Sequence, residues 1–156
     1  MDDIRLISMT TLWSKVLETI VAQFTLQETG RNWKNDQFGG RKGAFTDHVL
    51  ISLWDQILEG IDSQEGKASV ITAVDFSKSF SCFSFQQILI AYQKLGLSDW
   101  GIAMHTAFLR DREMRVKVGN ILSNSHPVTG GAVQGSVLGV MGHNAIMEFI
   151  DEDNDF

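Results

Sequence analysis

A mixed α/β (α+β) fold with a short antiparallel sheet packed on helices is what this chain predicts, and three observations predict it. Apolar residues recur at three- and four-residue spacing in several segments that open on Ser or Thr. A compact run, Val70–Val74, is dominated by β-branched residues and stops at Asp75, which reads as a buried strand tipped by a carboxylate. Met114, Val116 and Val118 alternate with Arg115 and Lys117, the pattern of a half-buried strand with a basic outer face.

In order, Thr10 or Thr11 caps a first helix. Its face of Leu12, Val16, Leu17, Ile20, Val21 and Phe24 is expected to be buried, and it ends near Gln27 before Thr29-Gly30. Residues 30–45 form a loop rich in Gly and Asn, where Gly39-Gly40 precede Arg41-Lys42-Gly43. Converging amides and cations there suit an anion such as phosphate, and a solvated loop is the plainer alternative. Thr46 caps a second helix with a buried stripe of Val49, Leu50, Leu53, Trp54, Ile57 and Leu58, closed by Gly60. Ser63–Lys67 connects to the Val70–Val74 strand, and residues 76–83 turn. Ser84 with Gln87 makes a capping box for a helix that Gly96 closes, and Ser98 caps the next. Gly119-Asn120 is a hairpin turn leading to Ile121-Leu122, and Pro127–Gly131 is extended. Gln134-Gly135-Ser136 is a tight polar turn from which Ser136 caps a last helix. Gly139 and Gly142 weaken that helix by about 0.5–1 kcal/mol each and clear one face for something to lie close.

Composition bounds the function. A chain of 156 residues with 44% apolar and 21% charged residues makes one folded domain and not a disordered one. One cysteine, Cys82, excludes a disulfide framework and a thiolate metal site. No apolar run nears the roughly 18 residues a membrane span needs, so no membrane is expected and residence is nuclear or cytoplasmic. A formal net charge of −6 is the wrong sign for bulk attraction to nucleic acid, so any such contact must be local.

Four stretches line up in a familiar order: Ile4–Glu18, Gln37–Thr46 (QFGGRKGAFT), Asp75–Phe80 (DFSKSF) and Gly130–Gly139 (GGAVQGSVLG). Together they resemble the reverse transcriptase domain of LINE-like retroelements lacking long terminal repeats, over essentially the whole chain. The resemblance implies a partial right-hand polymerase, fingers-like over 1–68 and palm-like over 69–156. It implies that Asp75, with the carbonyl of Phe76, is a ligand of Mg²⁺ in nucleotidyl transfer, where two ions activate the primer hydroxyl and neutralise the triphosphate. It makes Phe80 the residue under the incoming sugar, and a plain core or turn aromatic is the alternative. It sets Arg41 near template or triphosphate, and Gln134, Gly135 and Ser136 against template and nucleotide. Lys42, Arg115 and Lys117 become candidates for the nucleic-acid backbone, with a solvated face as the alternative. The implied partners are an RNA template and a DNA primer.

The departures from the family are specific. Leu6 and Val133 stand where it has Pro, Gly40 where it has an aromatic, and Ser81 where it has Asp. No Asp-Asp pair follows the Gln-Gly-Ser helix. The acids Asp151, Glu152, Asp153 and Asp155 come too early to replace it and read as a frayed terminus. The expectation is therefore a fragment without polymerase activity of its own. It would hold template and primer without chemistry, or complement a missing palm and thumb by association with itself or a partner. A generic phosphate-binding protein using Gly39–Gly43 is a further alternative.

Overall fold

The computed structural model describes residues 7–62 and 68–150. Arg5, Leu6, the Ser63–Lys67 connector and the acids from Asp151 to Asp155 lie outside the described residues. The fold is mixed α+β, with two compact units: Met1–Trp33 with Lys78–Phe156, and Lys34–Ser77.

Among its described residues the larger unit holds five helices and two short strand pairs. They are α1 (Leu12–Thr29), α3 (Ser79–Cys82), α4 (Phe85–Lys94), α5 (Asp99–Leu109) and α6 (Val137–Met147), with β1 (Glu113–Met114), β2 (Lys117–Val118), β3 (Ile121–Leu122) and β4 (His126–Pro127). The smaller unit holds α2 (Thr46–Asp62). In the larger unit α6 packs on α4 and α1, and α5 packs on the same two helices. Their shared core is built from Ile88, Ala91, Tyr92, Leu95, Leu109, Ala145 and Ile146, with Trp33 and Leu97. Val21, Ala22 and Leu138 make a second cluster between α1 and α6.

Four caps lie where the sequence puts them, whereas Thr46, expected to cap the second helix, is the first residue of α2 itself. Thr11 accepts from Ser14 N, Ser98 from Gly101 N and Ser136 from Gly139 N, and Ser84 with Gln87 completes a capping box. Each side-chain oxygen satisfies an amide that the first helical turn leaves without a partner. Gly96 takes a left-handed conformation (φ 82°) beyond α4, and Gly119 does so (φ 58°) in the turn between β2 and β3. The expected 114–118 strand is split. Met114 pairs with His126 and Lys117 with Leu122, so a short hairpin is nested between β1 and β4.

Three further expectations fail. Val70–Val74 forms no strand: it has no regular secondary structure, and Val70 and Val74 are 86% and 73% exposed. A run of β-branched residues becomes a strand only when another strand supplies its ladder, and among the described residues none does. On α2 no residue is buried, so the apolar stripe through Val49, Leu50, Trp54 and Leu58 faces outward or is only partly covered. The helix also runs past Gly60 to Asp62. On α1 the buried face is Glu18, Val21, Ala22, Thr25 and Thr29, while Leu12, Val16, Leu17 and Ile20 are exposed. The helix is where its pattern places it, but it is rotated so that a partly polar stripe faces inward.

That rotation is explained by a chain of buried hydrogen bonds. Thr25 Oγ1 donates to Val21 O (2.9 Å) and so accepts from His105 Nε2 (2.8 Å). Thr29 Oγ1 donates to Thr25 O (2.7 Å) and accepts from Trp33 Nε1 (2.9 Å). Each polar group has found a partner, which is the condition for keeping it inside.

Candidate functional site

The residues singled out in the sequence fall in both units. In the larger unit the structure joins residues from three of the four stretches, Ile4–Glu18, Asp75–Phe80 and Gly130–Gly139. Ala132 N donates to Phe80 O (2.6 Å) and Gly131 N to Phe83 O (2.7 Å), so the segment before the Gln134–Ser136 turn lies along α3. Ser84 and Gly130 form an antiparallel bridge in the same place. Gly131 sits at φ 88°, and a Cβ there would meet Phe80 O at 3.1 Å, so this approach needs glycine.

Phe80 is half-buried. Its ring stacks on the His143 imidazole of α6, with centroids 4.5 Å apart and planes 14° from parallel. Phe83 meets the same imidazole edge-on at 6.0 Å. Burial lowers the pKa of His143, against an opposing hydrogen bond from the Asn144 side chain. The imidazole is thus biased toward its neutral form, which suits a stack of rings.

The turn itself is tied at several points. Ser8 N donates to Gln134 O (2.9 Å) and Ser136 N to Val133 O (3.0 Å). Ser136 is buried, and its hydroxyl accepts from Gly139 N (2.8 Å). Gly135 lies at φ 100°, where a Cβ would fall 2.8 Å from Ser8 O. Glu18 reaches in from α1: its Oε2 accepts from Val137 N (2.9 Å) and its Oε1 from the Ser14 hydroxyl (3.0 Å). Glu28 does the corresponding work at α5, accepting from Ser98 N (3.0 Å) and the Ser98 hydroxyl. One helix therefore supplies carboxylates to the starts of two others, where the helix dipole favours negative charge.

Arg115 and Lys117 are exposed, but so are Met114, Val116 and Val118, so the expected half-buried face is not formed: each short strand pairs with one partner only and nothing covers its apolar side among the described residues. Nearby, Arg112 donates to Phe108 O (3.1 Å) and lies over the Phe108 ring at 4.5 Å. Burial lowers its pKa, and the Glu18 carboxylate raises it again.

In the smaller unit Arg41 is half-buried and organises its own loop. Its Nη1 donates to Lys34 O (2.7 Å) and Gln37 O (3.2 Å). Gly40 and Gly43 are left-handed at φ 66° and 82°. The loop borders a shallow, open depression of about 210 Å³, lined by Gln37, Arg41, Lys42, Gly43 and His48 among others. His48 Nδ1 accepts from Phe45 N (3.2 Å), which closes the entry to α2. Arg41 and Lys42 give this depression the positive lining an anionic group needs.

Asp75 and Phe76 stand on the exposed stretch that forms no strand, with Phe76 46% exposed. Among the described residues no group of three or more His, Cys, Asp or Glu gathers to hold a metal ion.

Glu18 and His143 are the residues a reading of sequence patterns misses. Glu18 carries a signal only in retrospect, as a carboxylate on the same face as Val21, Ala22 and Thr25. His143 has no signal except its place one residue beyond Gly142. No described helix is long and apolar enough to cross a membrane. Set against protein-family models, curated proteins and solved structures, the chain matches none.

Proposed function

We propose that this chain is a reverse-transcriptase-like fragment, fingers and part of a palm, that binds an RNA template and DNA primer without extending the primer. The observation that supports this reading is the meeting of Phe80 with the Gly130–Ser136 segment. Two motifs distant in sequence share a backbone hydrogen bond between Ala132 and Phe80, and the Phe80 ring stacks on His143 of α6, the helix that Ser136 caps. A nucleotide-binding turn beside an aromatic is what the resemblance calls for.

The proposed roles follow. Gln134, Gly135 and Ser136 present the turn, Phe80 supplies the ring beneath a sugar, and Arg41 with Lys42 takes phosphate. Arg115 and Lys117 contact the nucleic-acid backbone locally, against a net charge of −6. Asp75 is the one catalytic acid of the motif, and Mg²⁺ held there requires carboxylates from another chain or segment. A complementing role is favoured by α2, none of whose residues is buried, so that a second chain has apolar side chains to cover.

A gel shift with an RNA–DNA template–primer, run across a salt series, tests the reading. Binding that weakens as salt rises, with no extension in Mg²⁺ and nucleotides, is expected. No binding at low salt removes it. Extension by the wild type that is lost in Asp75→Asn overturns the inactive part.

A further inference from the structure

Glu18 is fully buried, at 0% exposure, on the inner face of α1. An uncompensated carboxylate in that position costs several kcal/mol, so what it touches carries information. Its two oxygens are spent on the Ser14 hydroxyl and on Val137 N, the first amide of α6. The Ser136 hydroxyl already takes the amide of Gly139. Glu18 and Ser136 therefore take two of the unpaired amides of that helix start, those of Val137 and Gly139. On the other side of the turn, Ser8 N holds Gln134 O. The Gln134–Ser136 turn is thus tied on both sides by Ser8 and Glu18, which lie more than a hundred residues from it along the chain.

We propose that Glu18 is a positioning residue: through Val137 N it fixes the Gln134–Ser136 turn in the shape that meets a template–primer. The claim rests on the function proposed above for its ligand, and on the geometry alone for the grip. Volume is not the requirement. A Glu18→Leu change fills the same space yet leaves Val137 N without an acceptor. A Glu18→Gln change keeps a carbonyl oxygen within reach of Val137 N and can still bond the Ser14 hydroxyl. Ser8→Pro deletes the other tie, on an exposed, non-helical residue, and leaves the core untouched.

The test reads amide hydrogen exchange at Val137 and Gly139 together with template–primer affinity, each corrected for the folded fraction by circular dichroism. Glu18→Leu is expected to speed exchange at Val137 at least about tenfold, the scale of a lost hydrogen bond to a charged group, and to weaken binding by a similar factor. Glu18→Gln is expected to restore most of both. Ser8→Pro is expected to weaken binding with the fold intact, and it serves alone where Glu18→Leu does not fold. Unchanged exchange at Val137 in folded Glu18→Leu overturns the proposal. So does exchange that speeds up while binding holds, unchanged binding in Ser8→Pro, or a Glu18→Gln protein no better than Glu18→Leu. A wild type that binds no template–primer refutes the function and the ligand role together, and exchange at Val137 still decides whether Glu18 grips the turn.

Discussion

Replacing Gly139 by Ala adds one methyl to α6, and helix propensity alone makes the change favourable by about 0.5–1 kcal/mol. The surroundings reverse that sign. The new Cβ would run into the Val133 carbonyl, with its carbon at 2.8 Å, and into the Ser136 hydroxyl at 2.9 Å. The first obstacle is backbone and cannot step aside. The second is the cap of α6, worth about 1 kcal/mol when lost. Overpacking of this kind costs about 1–3 kcal/mol, so the net destabilisation is about 2 kcal/mol. For a chain of this size that lowers the midpoint of thermal unfolding by about 4–8 °C. Gly142→Ala is the control. Its Cβ would meet Ile88 Cγ2 at 3.0 Å, the end of a side chain that can yield by a few tenths of an ångström, and the change is expected to be near neutral. Urea and thermal unfolding followed by circular dichroism compare the two. A Gly139→Ala protein as stable as the wild type, or a Gly142→Ala protein less stable than Gly139→Ala, refutes the reasoning.

Burial holds His105 at about 4, below its ordinary 6.5, so the unfolded chain takes up the proton first as pH falls. The stability linked to this residue is whole above pH 6.5 and declines toward pH 4, by up to about 3 kcal/mol. His105→Gln is expected to flatten that part of a urea-midpoint-against-pH curve, and an unchanged slope would show that the imidazole is not the group responsible. Lys78 sits in the left-handed region (φ 56°) ahead of α3 with no side-chain cap bond. Lys78→Gly is expected to gain about 0.5–1 kcal/mol by removing the Cβ strain, and a lower urea midpoint would contradict this.

Much of the fold was legible in the sequence because its signals are local. Thr11, Ser84, Ser98 and Ser136 cap the helices they were expected to cap, since a hydroxyl and an amide three residues on need nothing else. The candidate turn at Gln134–Ser136 and the hairpin at Gly119 were legible for the same reason. The glycines of α6 announced a close approach, and Val133 and Ile88 are what approaches.

The failures are all questions of partnership. Val70–Val74 has the composition of a strand, yet a strand is a property of two segments, and here it is exposed and pairs with no strand among the described residues. Apolar periodicity turns Leu12, Val16, Leu17 and Ile20 of α1 inward, whereas the face that is buried carries Glu18, Val21, Ala22, Thr25 and Thr29. Only the neighbours decided between them, because His105, Ser14 and the amide of Val137 offered bonds to Thr25 and Glu18 that Leu17 and Ile20 cannot make. By itself, then, the sequence determined where helices begin, where the chain turns and which residues bear charge, through interactions between near neighbours along the chain. The tertiary structure alone decided which faces are buried and that Phe80, His143 and Glu18 gather around one turn, because those contacts join residues whose separation along the chain leaves no periodic trace.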